Sequence, residues 1–164
     1  MKKILVLLSL ASLALMVTFS ACKKDEEEVV PDPIPTATIK GKVEAQLDVS
    51  NASTDIENAP SGTTIIAIID ASELVDNPVA GYPYKTLTYV GAVDGSGNYS
   101  IAVPARGGNV NVTFMCVDFE YDRVENHSVN PPPATETNRK IYSANTGGLT
   151  VVEGMIHVVD ITYN

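Results

Sequence analysis

Between residues 86 and 117 apolar and polar side chains alternate through three successive segments. Leu87, Tyr89, Gly91 and Val93 fall on one side of the first, opposite Thr86, Thr88, Val90 and Ala92. Tyr99, Ile101 and Val103 share a side of the second, and Val110, Val112, Phe114 and Cys116 share a side of the third. A period of two sends alternate side chains to opposite faces of a strand, so these segments predict consecutive strands with one buried face each. A slip of one residue would turn every apolar side chain outwards, which fixes the register. The segments are cut by Asp94-Gly95-Ser96-Gly97-Asn98 and by residues 104–109. The first cut is turn chemistry, since glycine tolerates positive φ and an aspartate accepts from its own backbone two residues on. An acidic loop of this kind also suggests calcium. A helix-loop-helix calcium site, however, needs more oxygen ligands at fixed spacing and a closing bidentate acid, and neither follows here.

The same period extends in both directions. Ile39, Gly41, Val43, Ala45 and Leu47 alternate with Lys40, Lys42, Glu44 and Gln46, a first strand with one wet face. Residues 63–69 are apolar on both sides and predict a central strand covered on both faces. Residues 48–62, rich in Ser, Asn, Asp and Pro, read as a loop. Asp70-Ala71-Ser72-Glu73 has capping-box spacing and opens one helical turn, after which Gly81-Tyr82-Pro83-Tyr84 places two aromatic rings in a loop. Beyond 117, Phe119, Tyr121 and Arg123 alternate with charges, either extending the third segment or following it after a bulge. Three successive prolines within 130–133 make that stretch irregular, because they offer no amide donors. Short strands are predicted at 139–144 and 149–152. A hairpin link at Glu153-Gly154 then leads to a last strand with Met155, His157, Val159, Ile161 and Tyr163 on one face. His127 falls in a polar loop. If the strands alternate in direction, 48–62, 94–98 and 118–140 lie at the end far from the N-terminal segment and 70–85 at the near end.

These stretches carry a family resemblance. The Gly within Ile39-Lys40-Gly41-Lys42-Val43, the run Pro60-Ser61-Gly62-Thr63-Thr64-Ile65, and the Asp94-x-x-Gly97-x-Tyr99 turn leading into a strand that ends at Pro104 resemble the carboxypeptidase regulatory-like, or prealbumin-like, β-sandwich family over about residues 38–117. The resemblance implies an immunoglobulin-like antiparallel sandwich, all-β with about seven strands, serving as an accessory module without catalysis. The chain departs from the compact pattern by inserts at 48–62, 70–85 and 118–140.

The first residues supply an address. Lys2 and Lys3 precede an apolar run over 4–17, and Thr18-Phe19-Ser20-Ala21 leads to Cys22. This is the layout of a secretory signal peptide over 1–21, too short for a spanning helix of about 20 residues. The cysteine after Ser-Ala resembles a bacterial lipobox, although Phe19 stands where Leu is commoner. The resemblance implies that Cys22 is lipidated and begins the mature chain, anchoring it to the membrane; an ordinary secreted protein cut nearby is the alternative. Lys23-Lys24-Asp25-Glu26-Glu27-Glu28 resembles the surface-export signal of some gram-negative lipoproteins, and it reads equally as a solvated tail. Three prolines over 29–36 complete a disordered tether at 22–36, extended at about 3.1 Å per residue. Residues 37–164 remain for one sandwich domain.

The formal net charge is -9, and the leader contributes only Lys2 and Lys3 to it. A strongly acidic mature chain repels phosphate backbones, which excludes nucleic acid as a partner. With Cys22 acylated, Cys116 has no disulfide partner, and its place on an apolar face predicts a buried, unreactive thiol. The sequence holds no nucleophile elbow, phosphate loop or zinc-type Cys and His spacing. His127 and His157 have no acid at ligand spacing from both, so no metal and no cofactor are expected. Tyr82 and Tyr84 are the candidate ligand-binding residues, as rings that stack on sugars or anchor a protein, or else cover the sandwich edge. The function expected is that of a non-catalytic binding module on an outer-membrane lipoprotein, on the cell surface or the periplasmic face, with a glycan or protein ligand. A structural subunit or anchor of a surface fibre or adhesin is the second reading. A hydrolase, the third, would need a cleft with coupled acids.

Overall fold

Strand β1, Thr36–Ala45, buries Ala37, Ile39, Val43 and Ala45 while Lys40 and Lys42 stay wet, as its alternation requires. A computed structural model describes residues 33–50, 56–106, 108–127 and 134–164. The leader, Cys22 and most of the tether lie outside the described residues, as do the three prolines at 131–133. β1 pairs antiparallel with β6 (Asn98–Pro104) and with the two-residue β3 (Glu57–Asn58). It pairs in parallel with β11 (Ile156–Val158) and β12 (Ile161–Tyr163).

A second sheet is wholly antiparallel, in the order β10-β7-β4-β5, built from β4 (Thr64–Asp70), β5 (Thr86–Ala92), β7 (Asn109–Cys116) and β10 (Gly147–Val152). Ile65, Ala67, Ile69, Val110, Val112, Phe114 and Val151 from this sheet join Ile39, Val43, Tyr99, Ile101 and Val103 from the first in one core. Burying both apolar faces against each other is what makes the two sheets a sandwich. Among the described residues the body has eight strands when β11 and β12 are counted as one interrupted strand, seven of them besides the two-residue β3.

Four expectations are corrected. The outer face of β4 is not covered: Ile66 and Ile68 are half-buried, and Val90 and Met115, which flank Ile66 in the sheet, are exposed. Single exposed aliphatics on a strand are ordinary, and an uninterrupted apolar run does not distinguish them from a covered face. Glu153-Gly154 is not a hairpin link. Gly154, at φ +71°, passes the chain from the second sheet to the first, which is why the last strand runs parallel to β1. The 48–62 loop contains the short strands β2 (Asp48–Val49) and β3.

The largest correction concerns the insert at 118–140. It folds as a two-stranded arm, β8 (Phe119–His127) with β9 (Ala134–Tyr142), and β2 runs parallel to β8 at Val124 and Glu125. His127 is therefore the last residue of a strand rather than part of a loop. Because the arm leaves the body and returns to the same end, the alternation of strand directions is preserved. The 94–98 turn, β3 and the root of the arm lie at the Ala45 end of β1. The 71–85 segment and the 153–155 link lie at its Thr36 end, tied by Gly154 N–H to Thr36 O at 2.9 Å and by Glu73 to Asn111.

Candidate functional site

The two tyrosines singled out by the sequence are brought together, and only one is open to a ligand. Asp70 caps a single 3₁₀ turn, Ala71–Leu74, by accepting from Ser72 N–H at 2.8 Å. The capping-box acid Glu73 does not reach back; it accepts from the Asn111 backbone and side-chain amides at 3.2 and 3.1 Å. Beyond this turn the chain is braced by its own backbone, with Tyr82 N–H donating to Val79 O at 3.2 Å and Tyr84 N–H to Tyr82 O at 3.0 Å. The Tyr84 hydroxyl accepts from Val79 N–H at 2.8 Å, so this ring is an internal strut. Tyr82 packs edge-on against it at 4.8 Å between centroids and remains 62% exposed. An uncharged run from Asn77 to Tyr84 therefore holds Val79 and Tyr82 outwards in a fixed shape.

At the opposite end the arm is rooted by aromatic packing. Phe119 stacks on Tyr142 at 5.2 Å with 8° between ring planes and meets Tyr163 at 4.9 Å. The Tyr142 hydroxyl donates to Gln46 O at 2.7 Å and that of Tyr163 to Val117 O at 2.9 Å. Outward from this root the arm is charged on both faces. Arg139 bridges Glu120 at 2.8 Å and Asp122 at 3.3 Å, and Glu125 gathers Arg123, Asn138 at 3.1 Å and Lys140 at 3.8 Å. These hydrogen bonds hold the Glu125 carboxyl below the ordinary glutamate range. Exposed ion pairs add little stability each, so the ribbon is better suited to presenting charge than to holding the fold. Sequence reading found strand character at Phe119, Tyr121 and Arg123 and at 139–144 but missed that the two strands pair as an arm, because no apolar face runs along it.

A cleft of about 280 Å³ opens where β7 and β10 approach the β11–β12 segment, lined by Phe114, Cys116, Asn145, Leu149, Asp160 and Ile161 among others. Its titratable groups among the described residues are Cys116 and Asp160. Burial pushes the Cys116 thiol up, away from thiolate, and its sulfur lies 3.8 Å from Asn145 O. Asp160 accepts from Lys42 N–H at 2.8 Å. Neither a thiol whose ionisation burial disfavours nor an acid that already accepts from a backbone amide has the arrangement of an activated nucleophile. The Asp94 turn is likewise occupied: its Oδ1 accepts from Ser96 and Asn98 N–H at 2.8 and 2.9 Å, which holds the carboxyl below its usual range. His157 Nε2 accepts from Val152 N–H at 3.1 Å. Among the described residues no three His, Cys, Asp or Glu side chains come together as a metal-holding group. Comparison with protein-family models and with curated proteins finds no match for the chain.

Proposed function

We propose that this chain is a lipid-anchored, non-catalytic binding module of the outer membrane, acylated at Cys22 and displayed on the cell surface or the periplasmic face. It meets a glycan or protein partner through the end of the sandwich away from Thr36. The observation that carries the reading is the β8–β9 arm. It is fixed at its base by Phe119, Tyr142 and Tyr163, and beyond that it offers a ribbon with charged side chains on both faces. Loops and hairpins on a rigid β body are where such folds place recognition. The unactivated Cys116 thiol supports a role without chemistry, and the acidic composition supports a partner other than nucleic acid.

The test is capture by the mature full chain from envelope proteins and on glycan arrays. A partner retained by the wild type and lost with the Arg139→Glu, Lys140→Glu double variant is expected. A partner held equally by both would remove the arm as the recognition element. Mass spectrometry of Cys22 tests the anchor separately.

A second reading, a subunit or anchor of a surface fibre, is favoured by one feature. Strand β9 runs for nine residues and pairs with β8 alone among the described residues, leaving a long edge able to accept a strand from another copy. Light scattering on the purified chain would show concentration-dependent oligomers on that reading and a monomer on the first.

A further inference from the structure

We infer that the braced loop over 77–84 is a bilayer-contact element that seats its Val79 and Tyr82 side chains in the headgroup region of the leaflet holding the lipid anchor. The inference rests on the lipid-anchor reading, and it assigns Tyr82 to lipid rather than to a sugar or protein ligand.

Three observations lead to it. The loop lies at the Thr36 end of the sandwich, where the chain from Cys22 enters the fold. The segment from Cys22 to Thr36 spans at most about 50 Å even when fully extended, so a tethered domain meets the bilayer at high effective concentration. The loop also has the composition and shape of an interfacial element. In a chain of net charge -9, the run Asn77-Pro78-Val79-Ala80-Gly81-Tyr82-Pro83-Tyr84 carries no charge. Val79 is 65% exposed and Tyr82 62%. The Tyr84 strut and the Tyr82-to-Val79 backbone bond fix both side chains outwards before any partner arrives, so little ordering entropy is left to lose on contact. Tyrosine, with an apolar ring and a polar tip, is enriched at the membrane–water boundary.

The third observation is that the same end continues the apolar surface, with Ile34, Val75 and Met155 exposed. Two exposed hydrophobics on the arm have a different setting. Tyr121 lies across from Lys140, and Ile141 lies across from Glu120. Asp76 and Glu153 border the near-end surface together with the exposed Lys85 and Arg106, a balance of charge that suits a zwitterionic leaflet.

The chain contains no tryptophan, so one introduced tryptophan is a clean probe. Tyr82→Trp and, at the opposite end, Ser96→Trp are made in the full-length lipoprotein. Each is incorporated into phosphatidylethanolamine–phosphatidylcholine vesicles whose acyl chains are brominated, and acylation of Cys22 is read by mass spectrometry on the same sample. The expected result is bromine quenching at least about threefold stronger for Tyr82→Trp than for Ser96→Trp, as its interfacial placement requires. Adding Val79→Asp to Tyr82→Trp should reduce that quenching. Equal quenching at the two positions in an acylated chain overturns the contact and leaves the anchor standing. Absence of an acyl group on Cys22 overturns the anchor and the contact together.

Discussion

A methyl group built on the α-carbon of Gly41 meets the carbonyl oxygen of Val159 at 1.9 Å. That carbonyl accepts from the Tyr99 hydroxyl at 2.8 Å, while Val159 N–H donates to Lys40 O at 2.9 Å. One residue on, the Asp160 side chain takes the Lys42 N–H. The interruption between β11 and β12 is thus stitched to β1 by backbone and side-chain bonds that close only where β1 has no Cβ.

Gly41→Ala should therefore cost about 3 kcal/mol, at the upper end for overpacking, because the obstacle is backbone rather than a side chain that swings away. Urea unfolding measures it. A loss below about 0.5 kcal/mol, the scale of an ordinary surface change, would mean that the β11–β12 segment moves freely and that the stitch is not a structural requirement.

The 94–98 turn makes a paired prediction. Gly97 has φ +81°, and a Cβ there would lie 2.7 Å from Asn58 Oδ1, whereas Gly95 has open space around it. Gly97→Ala should cost about 2 kcal/mol from left-handed strain and crowding, and Gly95→Ala should change stability by less than about 0.5 kcal/mol. Equal effects in denaturant melts would contradict the assignment of the strained position.

These glycines show what the residue pattern can and cannot convey. The buried faces of β5, β6 and β7 were legible because each has one dry and one wet side, so the period of two survives in the sequence. The alternation of β8 was legible but its pairing with β9 was not, because β8 mixes Phe119 and Tyr121 with Glu120, Asp122 and Arg123 and has no apolar face to fix a partner. Ile66 and Ile68 misled for the opposite reason, since aliphatic residues on an uncovered face look the same as buried ones. Tyr84 and Tyr82 are two residues apart and equivalent in sequence, and only the Val79 amide distinguishes the strut from the exposed ring. The need for glycine at 41 is a long-range contact that no local pattern encodes.

Rooting of the arm by Phe119 yields a local prediction. Phe119→Ala removes the stacking on Tyr142 and the contact with Tyr163, with an expected loss of about 2–3 kcal/mol for a partly buried aromatic. Hydrogen exchange should quicken across β8 and β9 while β4 and β7 keep their protection. Uniform acceleration over the whole domain would mean that the arm and the body open together.

The buried tyrosines set an alkaline limit on stability. Burial pushes the Tyr99 and Tyr163 hydroxyls far up from the ordinary tyrosine value, and each donates to a backbone carbonyl, Val159 O and Val117 O respectively. In the unfolded chain both ionise near pH 10. Below that pH neither state loses a proton and stability does not depend on these groups. Above it the unfolded chain releases protons that the folded chain retains, so stability falls as pH rises towards the folded values. Melting temperature followed from pH 8 to 11.5 should decline gently above about pH 8.5, where the unfolded chain ionises the half-buried Cys116 thiol, and more steeply above about pH 10, with the tyrosinate absorbance of Tyr99 and Tyr163 appearing only on unfolding. Tyr99→Phe combined with Tyr163→Phe should lower stability at neutral pH by about 1 kcal/mol per lost hydrogen bond and make the alkaline decline shallower. An alkaline decline as steep in the double variant as in the wild type would place the responsible protons elsewhere.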